Sequence, residues 1–147
     1  MFINKNTDLK TLLIMAKLQL LIVSLLTVCL ISACRKEAGP GGKASITGKV
    51  YVKNYDLSYT ILLSEYYEQG ENVYISYGNE TTVGDNVKTS YDGSFIFPYL
   101  RKGKYKIWSV SKDSSSSDPA ATRAIIQEIE IKSAKQQVTL SDIVILK

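Results

Sequence analysis

The chain has no histidine and only two cysteines, Cys29 and Cys34. Without an imidazole, serine and cysteine hydrolases of the Ser-His-Asp or Cys-His kind, His-ligated zinc sites and the usual proton shuttle near neutral pH are all excluded. Cys29 sits inside an apolar N-terminal run, so Cys34 is the one thiol downstream of it and the remainder can form no internal disulfide. A continuous apolar stretch of membrane-spanning length is also missing: the run from Leu18 to Leu30 falls short of the roughly 20 residues a span requires. Charge of one sign is scarce too. The net charge is +4, and setting aside residues 1–33, with Lys5, Lys10, Lys17 and Asp8, leaves 15 Lys and Arg against 13 Asp and Glu, interleaved along the chain. That pattern is a solvated surface and not a nucleic-acid footprint, which would need a one-sided basic patch.

What is abundant is tyrosine, ten residues, all of them after Cys34. Tyrosine suits half-buried pleated sheets, where the ring packs and the hydroxyl reaches water.

The apolar run follows Lys17 and ends in Ile31-Ser32-Ala33-Cys34, then Arg35-Lys36. Its length matches the core of a secretory signal. Ile31 to Cys34 resembles the lipobox of bacterial lipoproteins, an aliphatic residue and two small ones before a cysteine. The resemblance implies cleavage before Cys34, diacylglycerol on its thiol, further acylation (palmitate) of the freed amine, and an outer-membrane protein. Several chains on one residue, each buried CH₂ contributing about 0.8 kcal/mol, would hold it on a bilayer without a spanning segment. Met15-Ala16-Lys17 would itself open a compact leader, so translation from Met15 is an alternative to Met1. Residues 34–43, polar and glycine-rich, read as a tether. Lys36-Glu37 is a thin version of the charged surface-export signal of Bacteroidota lipoproteins, and surface and periplasmic orientations both stand.

From residue 44 to residue 147 the pattern becomes short runs of period two. Ile46, Gly48, Val50 and Val52 alternate with Thr47, Lys49, Tyr51 and Lys53. Val73, Ile75 and Tyr77 mark a second strand, Asn86 to Ser90 a third, Phe95 and Phe97 a fourth, Tyr105 and Ile107 a fifth. Ile125, Ile129 and Ile131 mark a sixth, and Ile143 and Ile145 a seventh. Seven short strands and no convincing helix predict an all-β, seven-stranded antiparallel sandwich. Asn54 to Gln69 is left as an extra strand or a short capping helix.

Gly48-Lys49-Val50, Gly70-Glu71-Asn72-Val73-Tyr74-Ile75, Thr89-Ser90-Tyr91-Asp92-Gly93-Ser94-Phe95-Ile96-Phe97 and Leu100-Arg101-Lys102-Gly103-Lys104-Tyr105-Lys106-Ile107 together resemble the carboxypeptidase regulatory-like (transthyretin-like) domain family. The resemblance implies a Greek-key sandwich over residues 44–147 acting as a folding, spacing or interaction module. One enzyme of the same fold, 5-hydroxyisourate hydrolase, relies on histidines and a C-terminal Tyr-Arg-Gly-Ser, and this chain has neither. Carboxypeptidase zinc ligands belong to a separate catalytic domain that is absent from these residues.

Glu80 with Asp85 and Asp113 with Asp118 are acidic pairs in loops, without the regular spacing of a calcium loop, so no metal and no cofactor is expected. The remaining candidates are aromatic. Trp108 falls on the strand face opposite Tyr105 and Ile107, where with nearby tyrosines it would form a stacking platform for a sugar or a protein, or else pack under the Asn54 to Gln69 segment or a neighbouring strand; Tyr74 is a second candidate partner contact. The reading is a non-enzymatic binding or accessory module, lipid-anchored through Cys34, with a protein or glycan partner. The alternative is a structural component of an outer-membrane nutrient-uptake complex.

Overall fold

The computed structural model describes residues 13–21 and 37–147. Cys29, Cys34 and the lipobox lie outside the described residues, as does most of the apolar run. Residues 13–21 are helical, and no helix among the described residues is long and apolar enough to cross a membrane. The chain divides into two units, Met1–Arg35 and Lys36–Lys147, and all the strands belong to the second.

That second unit is all β. Its strands are β1 (Pro40–Tyr55), β2 (Leu62–Tyr67), β3 (Asn72–Tyr77), β4 (Asp85–Lys88), β5 (Ser94–Leu100), β6 (Gly103–Lys112), β7 (Thr122–Ile131), β8 (Gln137–Thr139) and β9 (Ile143–Leu146). All seven expected segments form strands, and two more join them, so the count is nine rather than seven. Asn54 to Gln69 supplies β2, and all six of its residues are exposed, which is why no alternation marks it. β8 has only three residues, too few to show a period.

β1 is the spine of a five-stranded sheet. It carries β5 and then β2 along one edge, both antiparallel, and β8 and then β9 along the other. The last two pairings are parallel, which corrects the expectation of a purely antiparallel sandwich. After β7 the chain leaves the second sheet, and it meets β1 running in the same direction. Such a parallel partner needs a long connection rather than a hairpin. The second sheet has the order β4-β3-β6-β7 and is antiparallel throughout, with β4 and β7 at its edges.

Alternation places one face of each sheet inside. Ile46, Val50, Val52, Phe95, Phe97, Ile143 and Ile145 from the first sheet meet Val73, Ile75, Tyr105, Ile107 and Ile131 from the second in one buried cluster. Burying a side chain of this size contributes about 1.5–3 kcal/mol, so this layer is the main source of stability. Gly93 closes the β4–β5 connection with φ of +75°, and a Cβ there would lie 2.7 Å from Tyr67 Cβ and 2.9 Å from the Val50 carbonyl oxygen. Both the backbone and the space demand glycine.

β1 begins inside the segment read as a tether. Gly39 is already held, because its N–H donates to the Tyr105 hydroxyl at 3.1 Å while that hydroxyl donates to the Arg101 carbonyl at 2.7 Å. The buried Tyr105 therefore fixes where the chain enters the domain.

Candidate functional site

The outward face of the four-stranded sheet carries the residues singled out from the sequence. Odd-numbered residues of β6, with Tyr105 and Ile107, face the core, so Trp108 faces out, half-buried. Register then sets Tyr74 of β3 on one side of it and Ile126 of β7 on the other. The Tyr74 and Trp108 rings are stacked, 5.7 Å between centroids and 24° between planes. Ile126 is 55% exposed and Val110, one step along β6, is 40% exposed. The result is a flat apolar strip bounded by the next cross-strand row, Ser76, Lys106 and Glu128, in which Lys106 and Glu128 approach to 3.9 Å. Neither the Tyr74 hydroxyl nor the Trp108 indole N–H has a hydrogen-bond partner among the described residues.

Trp108 packs on a neighbouring strand and keeps part of its surface in solvent. A paired aromatic of this kind loses little conformational freedom on contact, and its unpaired N–H is free to donate to a ligand.

The outer face of the five-stranded sheet holds a second aromatic group that the sequence pattern did not disclose. Tyr51 and Tyr67 meet edge to face at 5.1 Å, and the Lys49 ammonium lies 4.7 Å above the Tyr67 ring. Lys49 also donates to Asp92 at 3.1 Å, and the Tyr67 hydroxyl donates to Asp142 at 2.9 Å, which raises the pKa of that phenol. Asp92 accepts from the Ser94 hydroxyl at 2.6 Å as well as from Lys49, and these bonds hold its carboxyl at about 2. A cleft of about 590 Å³ runs beside this group, lined in part by Thr47, Lys49, Ser94, Ile96, Thr139 and Asp142. Tyr51 was legible as outward-facing, since it alternates with Val50 and Val52. Tyr67 and Asp142, 75 residues apart, carry no local signal of their meeting.

Three of the four acidic loop residues, Asp85, Asp113 and Asp118, are engaged locally, with Asp85 accepting from the Asn86 N–H. Asp113 accepts from the Ser115 N–H and hydroxyl, and Asp118 from the Ala120 N–H, each closing its own turn. No group of three or more acidic, histidine or cysteine side chains is placed to hold a metal among the described residues.

No family model and no curated protein matches the chain. Among solved structures it is similar to a Pseudomonas aeruginosa protein proposed to bind carbohydrate, with 16% identity and a TM-score of 0.43 over 76% of this chain and 93% of that one. The likeness is distant, and the site rests on its own geometry.

Proposed function

We propose that the chain is a non-enzymatic, lipid-anchored protein of the cell envelope whose Greek-key, carboxypeptidase regulatory-like domain presents the Tyr74–Trp108 face to a glycan. The observation that carries this reading is the stacked, partly exposed pair on the two central strands of the sheet's outward face. The C–H face of a pyranose ring is apolar and fits a flat aromatic surface. Its rim of hydroxyls would find Lys106, Glu128 and the indole N–H at the border of the strip. An active site has no support from these residues, since the chain has no histidine and on the opposite face Tyr67 is bonded to Asp142, and Asp92 to Lys49 and Ser94.

Titrating the single tryptophan's fluorescence with a panel of oligosaccharides tests the binding face. A saturable shift that disappears in Tyr74→Ala, with folding retained, is the expected outcome. A blue-shifted emission resistant to soluble quenchers would mean that Trp108 is closed to solvent and would end its candidacy. The anchor is tested separately, by feeding radiolabelled fatty acid to cells making the parent chain or Cys34→Ala. Label should enter the parent alone, and the variant should move to the soluble fraction.

A second reading, a structural part of an outer-membrane uptake complex, is favoured by β7. Its ten residues pair with β6 along one edge, and the other edge has no strand partner among the described residues. An exposed edge of that length is a template for strand addition.

A further inference from the structure

One end of the sandwich gathers positive charge around an irregularity in β1. Both Pro40 and Ala44 register with Leu100 of β5, so Gly41, Gly42 and Lys43 bulge out between them, and none of the three has a register partner on either side. A bulge of this kind leaves backbone donors unpaired, and successive unpaired N–H groups form concavities that favour anions. Gly41 has φ of +93°, and the Arg101 guanidinium lies over it: a Cβ on Gly41 would come within 3.1 Å of Arg101 Nη2. Gly42 runs so close to β5 that a Cβ would fall 1.8 Å from the Leu100 carbonyl oxygen, so no other residue fits there.

The bulge opens on a cleft of about 430 Å³ whose lining includes Lys43, Arg101, Lys102 and Lys135 and no carboxylate. None of the four cations is in an ion pair among the described residues, and Arg101 Nε is buried with no hydrogen-bond partner there. Elsewhere on the domain Lys49, Lys106 and Lys147 each face an acid. A buried guanidinium N–H without an acceptor is costly, and an anion held on the Nη groups of the same guanidinium would offset that cost through its charge.

We infer that this cleft binds a phosphate group, received by the Arg101 guanidinium and the Gly41–Lys43 backbone and surrounded by Lys43, Lys102 and Lys135. Arg offers a planar fork of donors matched to phosphate oxygens, and lysines add point charge. The cleft lies at the end where the chain enters the domain, since Tyr105 binds both Gly39 and the Arg101 carbonyl. Cys34 precedes Gly41 by seven residues, a span of at most about 25 Å. An anionic lipid headgroup is therefore one source of the phosphate and a soluble phosphate ester is the other. The headgroup arm rests on the anchor proposed above, whereas the phosphate arm does not.

The test uses the full chain, the double variant Arg101→Gln with Lys135→Gln, and a control, Lys88→Gln with Lys112→Gln, that removes the same charge from exposed positions elsewhere. Replacing the Arg101 side chain leaves the backbone carbonyl that Tyr105 uses. Inorganic phosphate should shift the amide resonances of Gly41, Gly42 and Lys43 and the Arg101 Nε resonance in the parent and in the control, and not the three amides in the double variant. With phosphatidylglycerol vesicles the double variant should lose about fivefold in affinity for each cation removed, and with phosphatidylcholine vesicles nothing. Loss in both arms supports the site with a headgroup as its source. Phosphate shifts with vesicle binding equal in double variant and control support the site with a soluble ester as its source. Absent shifts in the parent, or shifts lost equally in the control, overturn it. A failed anchor shows independently, as absence of fatty-acid label at Cys34.

Discussion

On the outer face of the five-stranded sheet Tyr67 is held by three neighbours, the Tyr51 ring, the Lys49 ammonium and the Asp142 carboxylate. On the outer face of the four-stranded sheet Trp108 is stacked on the Tyr74 ring alone, and its N–H is unpaired among the described residues. The two faces use similar side chains to different ends. Where each polar group already has a protein partner, a ligand must break a bond to make one. Where a ring keeps part of its surface in solvent and its donor is free, a ligand adds contacts without removing any. The first arrangement stabilises the fold, and the second is suited to recognition.

The largest effect that would sharpen this comparison is expected at Gly93, which sets the turn beneath the Tyr67 group. Gly93→Val places a β-branched side chain at φ of +75° and into Tyr67 and the Val50 carbonyl. Strain and overlap together should cost about 3 kcal/mol or more, read as a drop in the urea midpoint with unchanged slope. A loss below about 1 kcal/mol would mean that the turn is soft and that Tyr67 is not braced.

Trp108→Ala should separate the faces in the opposite sense. Affinity for a glycan identified by titration should fall by about 2 kcal/mol or more, as for a central aromatic anchor. Stability should change by less, because part of the ring is already in water. A variant that loses stability as heavily as Gly93→Val, with affinity untouched, would make Trp108 a packing residue.

How much of this was legible before the structure depended on whether a feature is local. Period-two alternation exposed seven strand segments, and it placed Trp108 opposite Tyr105 and Ile107, because side-chain direction is fixed by the residue's own strand. β2 was ambiguous since Leu62 to Tyr67 is exposed on both faces, and alternation does not encode whether β8 and β9 run parallel to β1. Register is a property of pairs, so the Tyr74–Trp108 stack followed only once β3 and β6 were aligned. The same holds for Lys49 with Asp92 and for the Gly41–Lys43 bulge. The candidates named from sequence were therefore single residues, and the structure supplies their partners.

Tyr67→Phe comes next in size. It removes the hydroxyl that donates to Asp142 and keeps the ring against Tyr51 and Lys49. A small loss of stability is expected, because the bond is open to solvent, with glycan affinity unchanged. A change in affinity without a change in stability would reverse the roles assigned to the two faces.

The smallest effect should come from acid. Asp92 titrates at about 2 in the folded chain against an ordinary 3.8, held down first by the Ser94 hydroxyl and then by Lys49. Its folded value lies below its unfolded one, so its contribution is complete above 3.8 and disappears as the pH falls toward about 2. Asp56 behaves likewise in its own turn, at about 2, through bonds from the Ile61 N–H and the Ser58 hydroxyl. Both carboxylates are solvent-exposed, which limits what either adds. Urea midpoints measured between neutral pH and pH 2 should be level for the parent down to about 4 and then decline. Asp92→Asn should start slightly lower and decline less, because one of the three depressed carboxylates, Asp56, Asp92 and Asp113, is gone, whereas Asp92→Asn combined with Asp56→Asn should flatten the curve further. If the Asp92→Asn profile runs parallel to that of the parent throughout, the Lys49–Asp92–Ser94 group does not couple to folding, and the five-stranded face is no more braced than the other.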